Sequence, residues 1–241
     1  SLLDTLIGTG HTLDNFQTLS TNATSGLVVA PGHFTVDGGK VTGNNFTNIG
    51  TTAVVRGSMQ MSGNFLNDIQ GTFVVGGTGQ VSFQGAAQNN GTFILDGAAT
   101  RSSGGTFTNS GTVTGKGILD HQLINYGTVA VDAGNLMTVA GGTNHGHIQI
   151  AGGRLNVAGQ LANDPTGLIT GHGVLSTSTS SPGGIGLFNN GIIAVSGNNF
   201  DIHGDVRNTS SGRIITSGNA TTTFWDDVEH NGAEIRTSLG S

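Results

Sequence analysis

The side chains able to do chemistry are sparse in this chain of 241 residues, which holds 8 histidines, 14 acidic and 8 basic residues, one Trp, one Tyr and no Cys. His145 and His147 alternate along one stretch, with His172 further on. Zinc needs a third or fourth close ligand and a hydrogen-bonded outer shell, and no spacing here supplies them. The histidines read as scattered surface residues. Acidic residues lie singly except at Asp226-Asp227, whereas calcium takes roughly six or more oxygens. No metal and no cofactor is expected.

Two kinds of sugar chemistry remain to be weighed. A uronate-cleaving lyase needs a base and a cation to neutralise the carboxylate. The only lysines are Lys40 and Lys116, and Arg56, Arg101, Arg154, Arg207, Arg213 and Arg236 are dispersed. A glycosidase needs two carboxyl groups about 5 to 9.5 Å apart. The one acidic cluster that qualifies joins Asp201 and Asp205 to Asp226 and Asp227 across neighbouring repeats, and its simpler reading is a solvated, charged turn. No nucleophile triad stands out. Among 43 glycines a stray Gly-x-Gly carries no phosphate-loop signal. The expectation is a protein that is not an enzyme. Sugar binding without chemistry would use exposed aromatic platforms. Alternation from an inward Phe224 turns Trp225 outward beside Asp227, and Tyr126 is the second such ring. Trp225, Asp227, Asp205 and Tyr126 are thus the candidate ligand or partner contacts.

The elements that position these groups follow from composition. Charged residues make up 9% of the chain, against about a quarter in an ordinary domain, which leaves too few to solvate helix faces. The 43 glycines also disfavour helix. With 34% hydrophobic residues, including 11 Phe, the chain is not a disordered linker, and 3 prolines exclude collagen. The net charge of −6 and the absence of a basic cluster argue against nucleic acid as a partner. No apolar run approaches a membrane span. The first residues lack the features of a signal peptide, so the chain reads as cytosolic or as an excerpt from a longer secreted precursor. The missing Cys fits both.

One short phrase recurs throughout: an apolar residue, any residue, Asn, a short spacer, Gly, and a new apolar strand. Phe65-Leu66-Asn67 before Gly71 and Phe107-Thr108-Asn109 before Gly111 are clear copies. The anchoring glycines are placed at 26, 50, 71, 91, 111, 127, 146, 167, 191, 212 and 232. Two residues after them stand apolar residues such as Val28, Phe73, Phe93 and Ile148. A lone copy cannot bury its apolar face, whereas stacked copies can. The predicted fold is all-β: one parallel β-solenoid over 1–241, a right-handed β-helix of about eleven rungs of roughly 20 residues. At about 4.8 Å per rung it would be a rod of roughly 50 Å.

Stacking turns recurring residues into ladders. Asn22, Asn48, Asn67, Asn89, Asn109, Asn125, Asn144, Asn163, Asn189 and Asn208 form a structural column at a corner, where Asn tolerates the left-handed backbone and bonds its own chain. Thr51, Thr72, Thr92, Thr112 and Thr128 follow five successive anchors and form an outward Thr ladder. Beside Ala53, Val74, Ile94, Thr114 and Ala130 it makes a flat array of the kind that binds ice, although the column breaks at His147, Leu168, Ile192 and Arg213.

The phrase Gly105-Thr106-Phe107-Thr108-Asn109-Ser110-Gly111-Thr112-Val113 resembles the passenger regions of bacterial autotransporters and haemagglutinin-type adhesins. The closing Phe224-Trp225-Asp226-Asp227-Val228-Glu229-His230-Asn231-Gly232 resembles repeats of large surface proteins that carry a C-terminal sorting signal. The resemblance, one of repeat style over nearly the whole chain, implies a right-handed solenoid, export to the cell surface, and surface display, adhesion or fibre formation. It implies no catalytic residues. The expected function is a non-enzymatic, secreted structural or adhesive solenoid, a fragment of a longer surface protein. Its partners would be a cell-surface glycan, a host or neighbouring-cell surface, or a second copy stacked end to end into a filament. Polysaccharide binding or cleavage is the alternative, and ice binding through the Thr ladder the third reading.

Overall fold

The computed structural model describes residues 6–7, 12–15, 18–20, 26–178, 184–232 and 234–238, the segments before Ser20 by their backbone only. The protein is an all-β parallel β-solenoid of about 10 turns, and no helix occurs among the described residues. The chain divides into two compact units, Ser1–His121 and Gln122–Ser241.

Three columns of parallel strands build the first unit. In one, His33, Thr51, Thr72 and Thr92 stand in register. In the second, Lys40, Ser58, Gln80 and Arg101 do so. In the third, a short strand aligns Leu27, Phe46, Phe65, Ala87 and Phe107. Side chains alternate because strand period is two: Phe65 and Asn67 are buried while Leu66 between them is half-exposed. The interior is aromatic. Phe65 stacks on Phe83 at 4.1 Å, Phe73 on Phe93 at 5.3 Å, and Phe65 meets Phe73 edge-on at 5.0 Å. Each ring so buried contributes about 2 kcal/mol.

The second unit repeats the three columns, with Thr128, His147, Leu168, Ile192, Arg213 and Glu234 in one of them. Its short strands align Gly142, Leu161, Leu187, Val206 and Val228. Here the interior is mostly aliphatic, built on Val129, Ile148, Ile169, Ile193 and Ile214, with Phe200 also buried.

The register corrects the ends of the repeat. Leu27–Val29 pairs with Phe46–Asn48, so it is a short third-column strand and Val29 occupies the Asn position. The anchor of that rung is therefore Gly32, whose carbonyl accepts from Thr51 N, and not Gly26. Val28 accordingly faces outward, half-exposed, between buried Leu27 and Val29. At the other end Glu234 aligns with Arg213, so Gly232 lies one residue ahead of the anchor column.

The anchors are glycine for a reason that alternation does not reveal. Gly50, Gly71, Gly91, Gly111, Gly146, Gly167, Gly191 and Gly212 all have ordinary backbone angles, with no positive φ. A Cβ on any of them would nonetheless lie 2.1–2.3 Å from an oxygen, for most of them a backbone carbonyl of the neighbouring rung. Close approach of backbone, and not conformational freedom, requires glycine there.

Candidate functional site

The asparagines face inward. In the first unit Asn48 Nδ2 donates to Asn67 Oδ1 at 2.8 Å, Asn67 to Asn89 at 2.7 Å, and Asn89 to Asn109 at 2.7 Å. In the second, Asn125 donates to Asn144 at 2.7 Å, Asn144 to Asn163 at 2.8 Å, Asn163 to Asn189 at 2.8 Å, and Asn189 to Asn208 at 2.7 Å. All nine are 0% exposed. Each amide also reaches backbone: Asn48 Nδ2 donates to Gly50 O and to Thr72 O of the next rung. The left-handed backbone expected at these positions does not occur, since Asn219 is the one non-glycine residue with positive φ among the described residues. The ladder residues instead end ordinary strands. Asn22 lies outside the described residues. Where Val29 interrupts the column, Asn48 Oδ1 would lack a donor. Thr52 supplies it from the inward position taken by Phe73 and Phe93 in later rungs, with Thr52 Oγ1 2.9 Å from that oxygen. With its hydrogen bonds internal, the ladder offers nothing to a ligand.

The Thr column lies outside. Thr51, Thr72 and Thr92 are in register and half-exposed, as is Thr112, whose N–H donates to Gly91 O. Ala53, Val74 and Ile94 form the parallel outward column. In the second unit Thr128 begins a column that continues with His147 and Leu168.

The three singled-out histidines go to separate partners. His145 Nδ1 lies 2.7 Å from Asp164 Oδ2, and its ring stacks on Tyr126 at 4.8 Å and 8°, leaving the tyrosine 58% exposed. His147 Nε2 is 2.6 Å from Thr170 Oγ1. His172 aligns with Ala151. Among the described residues no group of three or more His, Asp or Glu is placed to hold a metal.

His121 overturns the reading of all histidines as surface residues. It is 1% exposed, packed against Phe107 and Phe83, with Nε2 2.9 Å from Ser102 Oγ. Gly104 leaves the space, since a Cβ there would come 2.9 Å from the imidazole. The alternation Leu119, His121, Leu123, Asn125 carries the signal that could have placed it inside. Burial pushes its pKa from 6.5 down to about 4, against smaller upward pulls from the Gly105 backbone and the Asp120 carboxylate. Between those two values the unfolded chain binds a proton that the folded chain does not, so stability falls as pH drops through this window and levels off below it. The expected loss is about 3 kcal/mol. Urea unfolding at pH 7 and pH 4.5 checks it: in His121→Leu most of the acid loss should vanish, and an unchanged loss would refute the assignment.

The last rungs gather the remaining candidates. Trp225 is 61% exposed, and its indole lies parallel to the His203 imidazole at 5.6 Å and 3°. At the adjoining corner Asp226 Oδ2 accepts from Gly204 N at 2.7 Å, and Asp205 Oδ1 accepts from Asp227 N at 3.2 Å. These two carboxylates hold the backbone of the turn. Asp201 aligns with Thr223 on the preceding strand. Arg207 pairs with Glu229 at 2.6 Å and lies 5.2 Å above the Phe188 ring. The hydrogen bonds from Arg207 and Asn231 hold the Glu229 carboxyl below its usual range. Tyr126 stands away from this group in sequence, with its own partner His145. Sequence reasoning missed an open polar groove of about 400 Å³ in the first unit, lined by Thr42, Gln60, Ser82 and Gln84 among others. The outward register of Thr42, Gln60 and Ser82 produces it.

Comparison with known proteins adds little to this geometry. No protein-family model and no curated protein matches the chain. Among solved structures, the TibC-catalyzed hyper-glycosylated TibA55-350 fragment aligns with 98% of this chain and 97% of its own, at 16% identity and a TM-score of 0.32. No helix of the described residues is long and apolar enough to cross a membrane.

Proposed function

We propose that the protein is a non-enzymatic structural and adhesive β-solenoid, displayed outside a bacterial cell. One observation carries this reading: within each unit the same outward strand positions recur in register, and in the first unit half-exposed Thr, Ala, Val and Ile side chains line them to form faces over an apolar interior. Such faces suit contact over an area, by many weak interactions in parallel. The partner is a glycan-bearing cell surface.

The reading is tested with the purified, fluorescently labelled chain on bacterial and epithelial cells, beside a reducing-end assay on uronate and neutral polysaccharides. Saturable adhesion without new chain ends is expected. Release of chain ends that Asp205→Ala or Asp227→Ala abolishes would replace this function with polysaccharide cleavage. Failure to adhere to any surface would remove the adhesive role.

A further inference from the structure

The indole of Trp225 has an unusual setting. One face is backed by the parallel imidazole of His203, which fixes the ring plane, and yet the side chain is 61% exposed. A large apolar surface left in water and held in one orientation suits a flat ligand, because little side-chain freedom remains to be lost on binding. Its surroundings are acidic. Asp226 and Asp227 follow directly in the chain, Asp205 is hydrogen-bonded to the Asp227 backbone, and Glu229 lies two residues beyond. The cation of this corner is Arg207, already paired with Glu229 and seated on Phe188. Asp205, Asp226 and Asp227 thus bring three carboxylates to this corner, against one guanidinium already paired with Glu229, beside an aromatic face that itself attracts cations.

We propose that this corner binds a protonated amino sugar, within an oligosaccharide of glucosamine type. The flat C–H face of the pyranose covers the Trp225 indole, and the ammonium on C2 lies against the Asp227 carboxylate. An anionic sugar is repelled by the excess negative charge. A neutral sugar leaves that charge unused. A lysine side chain offers the charge without a flat face and loses more rotamer freedom on binding. The assignment rests on the adhesive reading above and gives it a ligand class.

Trp225 is the chain's single tryptophan, so its emission reports on this corner without a label. Titration with a glucosamine hexamer should shift that emission saturably. The N-acetylated hexamer should bind about tenfold more weakly, as should the hexamer to an Asp227→Asn chain. Calorimetry on Trp225→Ala, a substitution at an exposed position, should show no binding. The proposal fails if the emission does not respond, if acetylation makes no difference, if Trp225→Ala still binds, or if an oligolysine of equal charge binds as well. A chain that adheres to cells but ignores the hexamer overturns the ligand and keeps the adhesive function. A chain that binds the hexamer but no cell surface does the reverse.

Discussion

An Asn67→Asp chain is expected to lose about 4 kcal/mol of folding stability at neutral pH. Asn67 is 0% exposed. Its Nδ2 donates to Asn89 Oδ1 at 2.7 Å, to Thr92 O at 3.0 Å and to Gly71 O at 3.1 Å, while its Oδ1 accepts from Asn48 at 2.8 Å. A carboxylate keeps the acceptor and turns the donor into a second acceptor, which then faces three oxygens without water. The introduced carboxyl can escape only by taking up a proton, so the penalty should shrink as pH falls. Asn67→Ala, which removes donor and acceptor together, should cost about 2 kcal/mol through the partners left unpaired. Urea unfolding of these variants, with exposed Asn198→Asp as a control expected to change by about 0.5 kcal/mol or less, measures the difference. Equal small losses at positions 67 and 198 would mean that the ladder does not hold the rungs.

Gly91→Ala should be nearly as damaging. The added methyl would sit 2.2 Å from Gly71 O and 2.3 Å from Asp68 O. Both are backbone atoms of the neighbouring rung, so neither can turn aside. The rungs would have to separate locally, lengthening Thr92 N to Gly71 O, now 2.9 Å. We expect a loss of about 4 kcal/mol, beyond the usual cost of overpacking because backbone must move. Gly105→Ala is the contrast. No atom lies within 4 Å of its added methyl and its φ is not positive, so the change should be neutral or stabilising by about 0.5 kcal/mol through the unfolded chain. Thermal and urea unfolding compare the pair, and similar effects at both sites would refute the close-approach explanation.

The candidate site was only partly legible in the chain. Alternation from Phe224 placed Trp225 outside, but the imidazole behind it comes from His203, 22 residues earlier, a pairing that only the register reveals. Asp205, Asp226 and Asp227 were recognisable as a cluster. That Asp226 and Asp205 hold the N–H groups of Gly204 and Asp227 depends on atomic positions at the corner. His121 escaped notice because an imidazole is polar and the chain spaces its histidines irregularly. Its inward position follows from the two-residue period, but the room for it depends on Gly104 opposite.

By itself the amino-acid sequence determined the architecture: all-β, parallel, stacked, with Phe-x-Asn and Gly recurring at each turn. A period of two within strands and a longer period between rungs admits one way to bury the apolar set, so local pattern suffices. Tertiary structure alone decided the exact register and the cause of each conserved-looking letter of the phrase within this chain. Gly32 replaces Gly26 as the first anchor because Val29, and not an asparagine, meets Asn48 across the rungs, and Thr52 turns inward to satisfy the amide left over. Glycine marks the corners because a carbonyl of the preceding rung lies where a Cβ would stand. These are contacts between residues about 20 positions apart, and spacing along the chain shows that they meet without showing how closely.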